Sequence, residues 1–192
     1  MTYTIRPETH ELREARETVE GVLEACKYIL EKDEMIEINI GSAPSDNQID
    51  FGASGYTVNS EQAQIFIRPE KQDWKKDLEK LTYQIYGESF FYENTDPSGL
   101  VWRHLLAESL GLMFLENNTD GKEPEKSSED LEDEWEDLKP SLGKQIDDFD
   151  PQNISWQIKW FIGKKISEEK DLEHFTSLKK SDVEEAGEEL FE

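Results

Sequence analysis

Apolar residues recur at three- and four-residue steps from about Glu8 to Glu31, at Leu12, Ala15, Val19, Val22, Leu23, Cys26, Ile29 and Leu30. That spacing predicts a long amphipathic helix packed on a sheet, with Thr9 as its cap and Glu11 just inside it. The period then drops to two. Met35-Ile36-Glu37-Ile38-Asn39-Ile40-Gly41 alternates with its isoleucines in phase, the pattern of a half-buried strand. Gly41 to Asn47 has turn chemistry, and Gly52-Ala53-Ser54-Gly55-Tyr56-Thr57 is expected to be loop, its two glycines marking a tight backbone approach. A second strand is expected over Ala63-Gln64-Ile65-Phe66-Ile67-Arg68, stopped by Pro69.

Two helices follow, joined by a short turn. Trp74, Leu78, Leu81, Ile85 and Ser89 share a face in the first, which begins near Gln72 and reaches roughly Phe91. Asp96 and Pro97 suit the cap and first turn of the second. From Leu100 to Leu115 its only ionisable side chains are Arg103, His104 and Glu108. A helix so apolar all round is expected to be buried. Val101, Leu105, Glu108, Leu112 and Leu115 fall on one stripe, which sets Glu108 among core residues. A carboxylate there needs a cation, a metal or hydrogen bonds, since its burial otherwise costs several kcal/mol.

The remainder is more polar. Residues 117–150 read as an acidic flexible insertion, with a short helix docked through Leu131, Trp135 and Leu138 after a Ser128 cap. Residues 151–192 form a C-terminal helical segment: an aromatic helix with Trp156, Trp160 and Phe161 that ends at Gly163, then a helix opened by the capping box Ser181-Asp182-Val183-Glu184 and running to Phe191. The order predicts an α+β fold, a small mixed sheet of two to four strands with helices packed on it. An exposed sheet edge in such a fold can accept an extended peptide.

Charge narrows the partners. With 45 acidic and 21 basic residues in 192, the net charge is -24, which speaks against nucleic acid or an anionic membrane as main partner. A salt-rich cytoplasm, as in a halophile, is one setting for such a surface; self-repelling loops are another. The length fits a single domain with an appended arm. Cys26 is the only cysteine, which excludes an intramolecular disulfide and a thiolate-rich zinc site, and its place on an apolar face predicts an inert packing residue. The first residues lack an apolar signal core and no apolar run approaches about 18 residues, so a cytoplasmic protein is expected. Phosphate-loop, nucleophile-elbow and dinucleotide signatures are absent from the sequence.

The order of elements resembles that of the predicted zinc-dependent proteases of the domain of unknown function 2268 family, whose active-site pattern is gluzincin-like. Gly52 to Thr57 before Ile65-Phe66-Ile67, the segment Ala107-Glu108-Ser109-Leu110-Gly111, and Trp160-Phe161-Ile162-Gly163 look like the family's segments. The resemblance implies a zincin-like core and puts Glu108 at the position of the third zinc ligand. Tyr83-Gln84-Ile85-Tyr86-Gly87 falls where His-Glu-x-x-His is expected, so Tyr83 and Gly87 stand at the histidine positions and Gln84 at that of the general base.

These replacements remove the chemistry. Histidines one turn apart bind zinc and the glutamate activates the metal-bound water. A phenol is protonated at neutral pH, glycine has no side chain, and an amide is no base. The Tyr83 hydroxyl and Gln84 amide are instead expected to donate to Glu108. One reading is therefore a pseudoenzyme that binds a peptide or protein through Tyr83, Gln84, Tyr86, Gly87, His104 and Glu108, without a cofactor. A second is an active metal-dependent peptidase with relocated ligands: His104 and Glu108, at i and i+4, holding zinc with Glu88 or His174. A third is an acidic α+β interaction protein unrelated to peptidases.

Overall fold

The computed structural model describes residues 9–31, 36–43, 51–94, 99–120, 128–150, 154–169 and 177–191. Met35, the Asp96-Pro97 pair, His174 and the 121–127 part of the acidic stretch lie outside them, as do the side chains of 128–130. The fold is mixed α+β. The chain divides into two compact units, Met1–Glu93 and Asn94–Glu192.

The first unit begins with α1, His10–Lys27, capped as expected: Thr9 accepts a hydrogen bond from the Leu12 amide at 3.4 Å. Its apolar stripe buries Ala15, Val19, Val22, Leu23 and Cys26. The helix ends before Ile29, which is half exposed. Three strands follow, β1 (Glu37–Ser42), β2 (Ala53–Asn59) and β3 (Gln62–Ile67), in the order β1-β3-β2. β3 is central, parallel to β1 and antiparallel to β2. The sheet is thus small and mixed, as its sequence suggests.

The 52–57 segment, expected as loop, is largely strand. Its glycines do mark close approaches, but between paired and packed elements. A side chain at Gly55 would strike the Gln64 carbonyl on β3, and one at Gly52 would strike the backbone of Trp74. Trp74 opens α2, Trp74–Asn94, and the Gly52 amide is tied to Asp77 in its first turn at 2.7 Å. The β2–β3 hairpin turns through Ser60 and Glu61, where Asn59 Oδ1 accepts from the Glu61 amide at 2.9 Å. Ile38, Ala63, Ile65, Ile67 and Thr57 point to the buried face, while Asn39, Tyr56 and Val58 are exposed.

The second unit is helical: α3 (Val101–Asn118), α4 (Ser128–Leu138), α5 (Trp156–Glu169) and α6 (Lys180–Phe191). α3 is buried over most of its surface, as its composition requires. Its N-cap is Leu100, whose side chain makes no capping hydrogen bond, and the expected cap Asp96 lies outside the described residues. The first-turn amides of Val101 and Trp102 are met instead by the carbonyls of Lys144 and Leu142, each at 3.0 Å. The chain after α4 therefore closes the start of α3. Leu131, Trp135 and Leu138 anchor α4 as predicted, with Trp135 wholly buried.

α5 does not stop at Gly163 but continues two turns to Glu169. A side chain at Gly163 would run into the Ser109 carbonyl, so this glycine lets α5 lie close against α3 rather than ending a helix. Gly187 of α6 plays the same part under the Trp135 ring. α6 starts one residue before Ser181, and Asp182 supplies the cap by accepting from the Lys179 amide at 2.6 Å. No helix among the described residues is long and apolar enough to cross a membrane.

Candidate functional site

The first unit holds one half of the expected site, on α2. Gln84 donates from Nε2 to Oε1 of Glu88, one turn on, at 2.7 Å. The Thr57 hydroxyl of β2 donates to the other oxygen, Oε2, at 2.6 Å. Glu88 is 3% exposed, so both carboxylate oxygens are met by uncharged donors in the helix–sheet layer. The Gln84 amide, expected to serve Glu108, gives one of its N–H groups to Glu88. Tyr86 is buried, its hydroxyl donating to the Leu30 carbonyl at 2.7 Å. Gly87 is buried as well. Burial first, then the neighbouring Cys26 and Glu79, push the Tyr83 phenol above its ordinary range. It is a neutral hydroxyl at physiological pH.

The second unit holds Glu108, one turn after His104 on α3. Its Oε2 lies 3.3 Å from His104 Nε2 and 3.0 Å from Lys159 Nζ of α5. The Lys159 ammonium and the Glu108 carboxylate form an ion pair between α5 and α3. The three side chains are 14–19% exposed. Glu108 therefore sits at the margin of the core, not inside it; Val101 and Leu105 of its stripe are buried, Leu112 and Leu115 only in part. Burial pushes the Glu108 carboxyl up, but contact with His104 and with the Lys159 ammonium outweighs it and leaves the pKa below the ordinary carboxylate range.

Lys159 escaped the sequence reading. Its signal is a symmetry between two windows: Glu108 is the one carboxylate in apolar α3 from Leu100 to Leu115, and Lys159 is the one ionisable residue from Ile154 to Gly163. Two isolated opposite charges in apolar helices are each other's cheapest partners. Glu88, considered only as a third metal ligand, carries the buried polar contact of the first unit.

The residues at the His-Glu-x-x-His positions supply none of that pattern's zinc ligands. Gln84 and Gly87 offer no ligand of the expected kind, and Tyr83 is a neutral phenol. The Glu108 oxygen nearest His104 already faces an ammonium group, so a cation there would have to displace Lys159. Among the described residues no three of His, Cys, Asp and Glu gather into a group that could hold a metal. His10 is exposed on α1, 3.8 Å from Glu14.

Comparison with protein-family profiles, with curated proteins and with solved structures finds no match to this chain.

Proposed function

We propose that this chain is a non-catalytic binding protein, built on a metallopeptidase-like α+β plan whose zinc site has been lost, and that it acts by engaging a peptide or protein partner. The observation that carries the reading is the Glu108–Lys159 contact at 3.0 Å. An ammonium group supplies the positive charge that a metal would supply at the third-ligand position, and the carboxylate keeps a structural task without the metal. The other half supports it. Gln84 is engaged as a neutral donor to Glu88, a task a general base cannot share.

Elemental analysis of protein purified without chelator, repeated after dialysis against zinc, tests this. The expected result is far less than one zinc per chain in both samples, with no peptidase activity on a mixed peptide library. Near-stoichiometric metal that disappears in His104→Ala overturns it in favour of a relocated metal site.

A further inference from the structure

The second unit contains a feature that neither half of the expected site uses. A cavity of about 230 Å³ lies beside α4, lined by Glu134, Asp137, Leu138, Phe149 and Ile154. It is smaller than the roughly 300 Å³ at which pockets for drug-sized ligands begin, so it has room for one side chain rather than a cofactor. Its walls are of two kinds. Leu138 and Ile154 are buried apolar surface, and Phe149 offers an aromatic face that is partly exposed. Glu134 and Asp137 are one helical turn apart, so their carboxylates rise from the same face of α4.

Among the described residues no cationic side chain pairs with Glu134 or Asp137. Glu134 accepts from the Ser155 amide through Oε1 at 2.6 Å, which leaves Oε2 available. The Asp137 carboxylate has no hydrogen bond or ion pair with any described residue. The stretch from Ser128 to Asp150 has ten acidic residues and two basic ones, Lys139 and Lys144. Lys139 pairs with Glu188 at 2.8 Å, and Lys144 donates to Ser141 at 3.1 Å.

We infer that this cavity receives a single arginine side chain from a basic segment of a partner protein. The arginine stem lies along Leu138 and Ile154, the guanidinium plane stacks on Phe149, and its forked N–H groups reach Glu134 and Asp137. Planarity and the fork favour arginine over lysine, since an ammonium can neither stack nor bond two carboxylates from one plane. The surrounding acidic surface steers a basic segment toward the cavity. The inference rests on the reading of the chain as a binding protein but not on its likeness to peptidases.

The test is an NMR titration of the ¹⁵N-labelled full chain with the peptide acetyl-Gly-Arg-Gly-amide and with its counterparts carrying citrulline or lysine. Citrulline keeps the shape of arginine without the charge. Expected are shifts centred on Leu138, Phe149 and Ile154 with arginine, weaker binding with lysine and none with citrulline. Asp137→Asn should weaken arginine binding about threefold to tenfold. Glu24→Gln, on the exposed face of α1, removes the same charge and should leave binding unchanged; neither Asp137 nor Glu24 has a described partner to lose, so both variants should fold. Equal binding of the citrulline or lysine peptide overturns the inference. So does arginine binding that Asp137→Asn and Glu24→Gln weaken alike, which is diffuse attraction to an acidic surface. Zinc found by elemental analysis would overturn the non-catalytic reading and leave this titration's outcome intact.

Discussion

Replacing Glu108 with glutamine keeps its shape and removes its charge, leaving the Lys159 ammonium in a place only 14% exposed. We expect Glu108→Gln to cost about 1–3 kcal/mol in urea unfolding. Lys159→Met should cost a similar amount, and the double variant less than the two together, since each single change strands the other charge. The pH dependence follows from the lowered Glu108 pKa. The folded value lies below that of the unfolded chain, about 4.3, so the carboxylate's contribution is complete above that pH. It is lost as pH falls through the folded value. The stability gap between wild type and Glu108→Gln should therefore begin to narrow as pH falls below about 4. A gap that does not narrow at all as pH falls further would mean that packing, not charge, sets the cost. In the first unit Thr57→Val removes one donor to buried Glu88 and should cost about 1–3 kcal/mol by the same measurement. Cys26 is buried, and burial pushes its thiol up to about 12 against a smaller opposing backbone hydrogen bond. Modification by a thiol-reactive disulfide reagent at pH 8 should accordingly be slow in native protein and rapid in urea.

At the level of elements, the sequence is legible where one local signal dominates. Thr9 before a 3.6-residue stripe yields α1, and unbroken apolar composition yields a buried α3. It is less legible where a residue's reason lies on a different element. Gly163 resembles a helix stop because glycine commonly is one, but its cause is the Ser109 backbone on α3. Gly52 and Gly55 resemble loop residues because their cause is Trp74 and β3. The first-turn amides of α3 are met by carbonyls some forty residues further on, which no local signal announces. In the same way, the one carboxylate from Leu100 to Leu115 is visible as a problem in the sequence, while its answer, Lys159, lies on α5. The distinction can be measured on glycines. Gly163→Ala forces a methyl group onto backbone that cannot rotate away and should destabilise by about 1–3 kcal/mol. Gly21 is also in a helix, on the exposed side of α1 with nothing within 4 Å. There Gly21→Ala should stabilise by about 0.5–1 kcal/mol, the ordinary helix-propensity gain. Equal effects at both positions in urea titrations would remove the close α3–α5 contact from the account.

For the molecule as a whole, the net charge of -24 sets two opposed responses to salt. Several of its ion pairs are exposed contacts one turn apart, such as Arg16–Glu20, Lys165–Glu169 and Lys180–Glu184. Each is worth about 0–1 kcal/mol and is weakened by screening. Against them stands repulsion among a large excess of carboxylates, which screening relieves. With more than twice as many acidic as basic residues, relief should win, and the thermal midpoint should rise between 10 mM and 0.5 M NaCl. What happens beyond that separates the two origins of the acidic surface. At 1 M the Debye length is only about 3 Å, so nearly all the repulsion that salt can remove is already gone. If self-repulsion is the whole effect, the midpoint levels off there. A surface adapted to a salt-rich cytoplasm instead keeps gaining stability into molar KCl, through ions and water organised by the carboxylates. A midpoint that falls from the lowest salt upward would contradict both, and would mean that the attractive pairs outweigh the excess charge.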